Sequence, residues 1–98
     1  MGRFVLSSKA ESDIDEITSF IARDDVTTAL KFARALRSKI SEIAENPHLY
    51  RERVELRPTI RAARHGRYLI FFCIHEEVVQ ILRVWHSARN LDEMLDFD

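Results

Sequence analysis

The chain has 98 residues, 46% hydrophobic and 32% charged, with a formal net charge of −1. That length makes a single domain over 1–98, with roughly two thirds of its unfolded surface to bury. The charge balance argues against broad nucleic-acid binding, and no apolar run approaches the roughly 18 residues of a membrane span. Met1-Gly2-Arg3-Phe4-Val5-Leu6 is too short an apolar stretch for a signal peptide. The one cysteine, Cys73, allows no intrachain disulfide. That fits a reducing cytoplasm.

In chain order, Arg3 to Leu6 reads as a short strand. Ser8-Lys9-Ala10-Glu11 fits a capping box. Behind it Ala10, Ile14, Ile17 and Ile21 form one helical stripe, widened by Phe20, while Asp13, Asp15 and Glu16 suit the positive end of the helix dipole. Asp24-Asp25 breaks the pattern. A second helix carries Ala29, Ala33, Leu36, Ile40 and Ile43 on one stripe and ends at Asn46-Pro47, because the residue before proline is pushed out of the α region. So short a connection makes an antiparallel helical hairpin. Pro47 to Pro58 reads as a polar loop pinned by Leu49, Tyr50 and Leu56. Thr59 to His65 reads as a strand with Ile60, Ala62 and Ala63 inward, and His65-Gly66-Arg67 as a tight turn.

Two long strands follow, Arg67 to Ile74 and Val78 to His86, turning at His75-Glu76-Glu77. They hardly alternate. Tyr68, Ile70, Phe72 and Ile74 take one face, and Leu69, Phe71 and Cys73 the other, so both faces want cover. The helices all precede this sheet and can cover one face well. The expectation is a second face left for a partner protein. Ser87 to Phe97, with Leu91, Met94 and Leu95 at helical spacing, reads as a short C-terminal helix. The fold class is α+β: an N-terminal strand, an αα-hairpin, then a three-stranded antiparallel meander with a short C-terminal helix. The order of strands within the sheet stays open.

From Arg51 onward every Lys or Arg is arginine: Arg51, Arg53, Arg57, Arg61, Arg64, Arg67, Arg83 and Arg89. These serve either as a solvated surface or as a face that grips carboxylates or phosphates in a bidentate manner. His48, His65, His75 and His86 share no metal-ligand spacing, and no metal or cofactor is expected. Cys73 reads as buried and inert. Trp85 is either core or an anchor for a partner.

Several strings resemble the ParE/RelE superfamily of bacterial toxins over nearly the whole chain. They are Leu6-Ser7-Ser8-Lys9-Ala10-Glu11-Ser12-Asp13-Ile14, Ile40-Ser41-Glu42-Ile43-Ala44-Glu45-Asn46-Pro47, Leu56-Arg57-Pro58-Thr59-Ile60-Arg61, Gly66-Arg67-Tyr68-Leu69-Ile70-Phe71-Phe72 and Ile81-Leu82-Arg83-Val84-Trp85-His86. The resemblance implies the toxin of a type II toxin–antitoxin system with a plasmid-stabilisation role. In the ParE branch the target is DNA gyrase and the neutralising partner a ParD-like antitoxin, giving a hetero-oligomer. The expected polar contacts are Arg57, Arg61, Arg64, Arg67, Arg83, His86 and Arg89, and the apolar ones Tyr68, Phe71 and Trp85. The alternative is a RelE-type, ribosome-dependent mRNA endonuclease drawing on Arg61, Arg83 and His86. RNA cleavage needs a general base, a general acid and cations at the phosphate. The tyrosine that RelE-type nucleases carry near the C-terminus is missing from Arg89-Asn90-Leu91-Asp92-Glu93-Met94-Leu95, and that stretch is acidic. A binding-type toxin is therefore favoured over an enzyme.

Overall fold

In the computed structural model, residues 2–57 and 59–94 are described. Strand β1 (Phe4–Leu6) leads into helices α1 (Ser8–Asp24) and α2 (Val26–Glu45). A short 3-10 turn (Pro47–Leu49) and a loop connect to strands β2 (Arg61–His65), β3 (Tyr68–His75) and β4 (Val78–His86). A second 3-10 turn spans Leu91–Met94. The sheet order is β1-β4-β3-β2. β2, β3 and β4 form the expected antiparallel meander. β1 joins the β4 edge in parallel: the helical hairpin carries the chain from β1 to β2 at the opposite edge, and the meander then brings β4 back beside β1.

Both helix starts follow side-chain chemistry. The cap of α1 is Ser7, one residue before the expected Ser8, and its hydroxyl accepts from the Ala10 N–H at 3.0 Å. Asp25 caps α2 by accepting from the Thr27 and Thr28 N–H groups, which ends one helix and begins the next. The Thr28 hydroxyl, which donates to Asp25 Oδ2 at 2.9 Å, holds the Asp25 carboxyl below its ordinary value, helped by these N–H groups. On α2 the expected stripe faces inward, with Ala29, Leu36, Ile40 and Ile43 buried. On α1 Ala10 is buried, but Phe20 points outward at 67% exposure instead of widening the inner stripe. Leu49, expected to pin the loop, is likewise exposed. Pro47 is buried there, and Tyr50 sets its ring edge-on to Phe72 at 5.9 Å.

The sheet carries a core on each face. Against the helices lie Ala63, Ile70, Phe72, Val79, Ile81 and Val84. On the far side Phe71 and Trp85 are buried with Ile60 and Met94, flanked by Leu56, Ala62, Leu69, Cys73, Leu82 and Leu91. The far face is thus covered by this chain itself, which corrects the expectation of bare apolar strands. The cover comes from two irregular segments, the α2–β2 loop and the 3-10 turn after β4. Residues 51–53 also run along the outer edge of β2, where the Arg53 N–H donates to the Ile60 carbonyl and the Ala62 N–H to that of Arg51. The C-terminal element is a 3-10 turn at Leu91–Met94 rather than an α-helix from Ser87, and Leu95 lies outside the described residues.

Both hairpin turns are two residues long. Gly66 takes φ +59 in the first, as the backbone twist of a tight hairpin requires. In the second, Glu76 and Glu77 both take positive φ, 49 and 64. Side chains with a Cβ are strained there. Exchanging Glu76-Glu77 for Asn-Gly is expected to stabilise the fold by about 1 kcal/mol. An unchanged urea midpoint would show that the turn holds no such strain.

Candidate functional site

β1 pairs with only Val79, Gln80 and Ile81 of β4. Past Ile81 the edge of β4 is completed by α1 side chains and its cap. The Ser7 N–H donates to the Ile81 carbonyl and the Ser7 hydroxyl to that of Leu82, each at 2.9 Å. Further along α1, Asp13 Oδ2 accepts from the Val84 N–H at 3.0 Å. The β3–β4 pairing skips Leu82, running Phe71↔Arg83 and then Phe72↔Ile81. Such a bulge bends the strand and re-aims its side chains. Arg83 reaches the open edge, where Nε and Nη2 meet Asp13 Oδ2 and Oδ1 at 2.8 and 2.9 Å. Its Nη1 donates to the Met94 carbonyl at 3.3 Å. One guanidinium therefore joins α1, β4 and the C-terminal turn, with Arg83 and Asp13 only 12% and 14% exposed.

Beside this clamp lies a cleft of about 440 Å³ between α1 and the end of the sheet. Asp13, Glu16, Ile17 and Phe20 line its helical wall, and Tyr68, Val84, His86 and Arg89 the other. The Tyr68 ring is held edge-on between Phe32 at 5.3 Å and His86 at 5.2 Å. His86 Nδ1 accepts from the Ala88 N–H at 3.1 Å. That leaves Nε2 to carry the proton of the neutral ring. Ser87 donates from its backbone to the Arg67 carbonyl at 2.8 Å, so the β2–β3 turn abuts the end of β4. Arg64, Arg67, His86 and Arg89 thereby gather at one end of the sheet.

Residues 4–91 match the family model of the ParE toxin of the type II toxin–antitoxin system, parDE. The chain belongs to this family. It is 32% identical to Toxin ParE1 of Caulobacter vibrioides over 91 residues, covering 92% of this chain and 94% of that toxin. It is 30% identical to Toxin ParE1 of Mycobacterium tuberculosis (strain CDC 1551 / Oshkosh) over 95 residues, covering 95% and 97%. A solved structure described as a chromosomal ParDE TA system from P. aeruginosa has the same fold. Its TM-score is 0.73 at 19% identity, covering 88% of this chain and 96% of that one. No described helix is long and apolar enough to cross a membrane.

In this ParE-family fold the residues singled out in the sequence fall into distinct groups. Tyr68, His86 and Arg89 line the cleft, with Arg64 exposed near the end of β2 and Arg67 on the adjoining turn. Arg57 is exposed in the α2–β2 loop. Arg61 is committed to the fold, donating to the Tyr50 carbonyl at 2.6 Å and to Glu52 at 3.2 Å. Arg83 is held by Asp13. Phe71 has 0% exposure and offers no surface to a partner, so it is a core residue and not a contact. Trp85, 4% exposed, is core as well. Its indole lies under the guanidinium groups of Arg89 at 3.9 Å and Arg83 at 5.0 Å. Burial pushes the Cys73 thiol up, away from the reactive thiolate.

Arg61, Arg83 and His86 are not brought together. Arg61 sits on β2 opposite Phe72, whereas Arg83 sits on β4 opposite Phe71, two strands away. Asp13, Glu16, Ile17, Phe20 and Val84 escaped the sequence reading of the site. For Asp13 a signal existed. It lies three residues after Ala10 and four before Ile17, so it borders the buried stripe, where an unpaired carboxylate is costly.

Proposed function

We propose that this toxin acts by binding, that DNA gyrase is its target, and that a ParD-like antitoxin neutralises it in the cytoplasm. Family membership supports the antitoxin, as does the ParDE assembly named for the structural neighbour. The observation that favours binding over RNA cleavage is the separation of Arg61, Arg83 and His86. Two of them are spent on internal hydrogen bonds, so phosphate charge and proton transfer have no common point of action. Tyr68, His86 and Arg89 instead surround an apolar-walled cleft with Arg64 and Arg67 nearby, an arrangement suited to a protein surface.

The decisive experiment adds the purified toxin to gyrase supercoiling reactions and, separately, to ribosomes translating a defined mRNA. Lost supercoiling with intact mRNA is the expected result, and Arg89→Glu should weaken it about tenfold. Cut mRNA with normal supercoiling would overturn the reading in favour of a RelE-type endonuclease.

A further inference from the structure

Arg89 lines the cleft from the turn that leaves β4. Its guanidinium has no carboxylate partner among the described residues. Two other contacts fix it. The indole of Trp85 supports the guanidinium at 3.9 Å, and the Arg89 N–H donates to the His86 carbonyl at 3.0 Å. The residue before it is held by the imidazole, since the Ala88 N–H donates to His86 Nδ1. His86 therefore closes this turn twice, once with its carbonyl and once with its ring. The ring is seated edge-on against Tyr68, its direct opposite on β3. The Ser87 N–H ties the same strand end to the Arg67 carbonyl.

The ring contact depends on charge. A neutral imidazole accepts at one nitrogen, whereas an imidazolium carries N–H at both and accepts nothing. Histidines gain that proton between about pH 8 and about pH 5. In the charged form two N–H groups face each other across the 3.1 Å that now holds a hydrogen bond. The surroundings favour release. Across the cleft α1 presents Asp13 and Glu16. Asp13 is committed to Arg83 and the Val84 N–H, which leaves Glu16 to draw the new charge. β3 adds Tyr68, and β2 adds His65, paired with it. Arg64 and Arg67 at the β2 end stand with Arg89 as cations, while α2 sets Phe32 against Tyr68 and lends the cleft no charged lining residue. We propose that His86 is a positioning residue for Arg89. Its neutral ring holds the turn so that the guanidinium lies on Trp85 beside the cleft, and its protonation lets the turn go. The consequence for target binding rests on the reading of the cleft given above.

The test follows wild-type toxin and His86→Asn by NMR from about pH 8 to about pH 5. Asparagine keeps an acceptor oxygen for the Ala88 N–H but cannot be protonated, and thermal melting verifies its fold. In wild type the Ala88 amide proton and the Arg89 δ-methylene protons, shifted upfield by the Trp85 ring, should move together with the His86 ring signals. The Arg89 protons should lose their upfield shift at the acid end. In His86→Asn both sets should stay in place over the same range. In gyrase supercoiling assays, the ratio of wild-type inhibition at about pH 8 to that at about pH 6 should exceed the variant's ratio about threefold. A histidine that only touched a partner would titrate with Ala88 and Arg89 stationary, and that result would overturn the inference. The same transition in His86→Asn would overturn it too, by assigning the movement to another group such as His65 or Glu16. A turn that moves while the two inhibition ratios agree would refute the positioning role. Absence of gyrase inhibition at every pH would remove the target reading alone, because the resonances report the turn without it.

Discussion

Asp13→Ala is expected to destabilise the fold by about 3 kcal/mol, measured by urea denaturation with Trp85 as the fluorescent reporter. The carboxylate accepts from Arg83 Nε, Arg83 Nη2 and the Val84 N–H. Truncation strands a guanidinium that is only 12% exposed and a strand N–H at an edge that β1 does not reach. Leaving such groups unpaired costs more than the pair contributes as a unit. A non-additive double substitution follows from this. Asp13→Leu combined with Arg83→Met should recover much of the loss from either change alone, because no orphaned charge remains. A loss under about 1 kcal/mol for Asp13→Ala would mean that water screens the pair as it does at a surface. The functional corollary concerns Arg83. If its work is to tie α1 to the C-terminal turn, Arg83→Lys lowers stability, since an ammonium cannot reproduce the two-pronged contact. Toxin activity per folded molecule then stays unchanged.

This clamp shows where sequence reading stops. The β3–β4 hairpin was legible to within a residue, because two apolar runs around a three-residue polar break leave little freedom of register. Asp24-Asp25 marked the helix junction because a short acceptor side chain ends one helix by capping the next. Asp13 and Arg83 are 70 residues apart and meet only because Leu82 bulges and β1 stops at Leu6. Neither feature has a local signature. The cap moved from Ser8 to Ser7 for a similar reason. Ser7 can also donate to Leu82 across the sheet, a tertiary bond invisible to a pattern of spacings. At the cleft, Tyr68 and His86 could be named from the ends of the strands and Arg89 from the run of arginines. Phe20 and Glu16 could not, because the face of α1 that meets the sheet end depends on how the helix is docked.

The second face of the sheet gives the sharpest reversal, and Phe71→Ala tests it. As a partner contact, Phe71 would be dispensable for folding. As a residue with no exposed surface among Ile60, Trp85 and Met94, it is expected to cost about 4 kcal/mol when truncated. That is a large share of the roughly 5–10 kcal/mol that holds a domain of this size. Two irregular segments depend on this ring. Leu56 and Ile60 come from the α2–β2 loop, tied to the β2 edge by the Arg53–Ile60 and Ala62–Arg51 backbone hydrogen bonds, and Leu91 and Met94 come from the last turn. Trp85 should therefore become solvated along with the cavity, and its emission should shift to longer wavelength. Phe20→Ala is the control, since a ring already 67% exposed should change stability by less than about 0.5 kcal/mol. A Phe71→Ala protein as stable as wild type but unable to bind its partner would show that the far face is an interface after all. The reverse result would confine recognition to the helical layer and the cleft, where apolar surface still meets water.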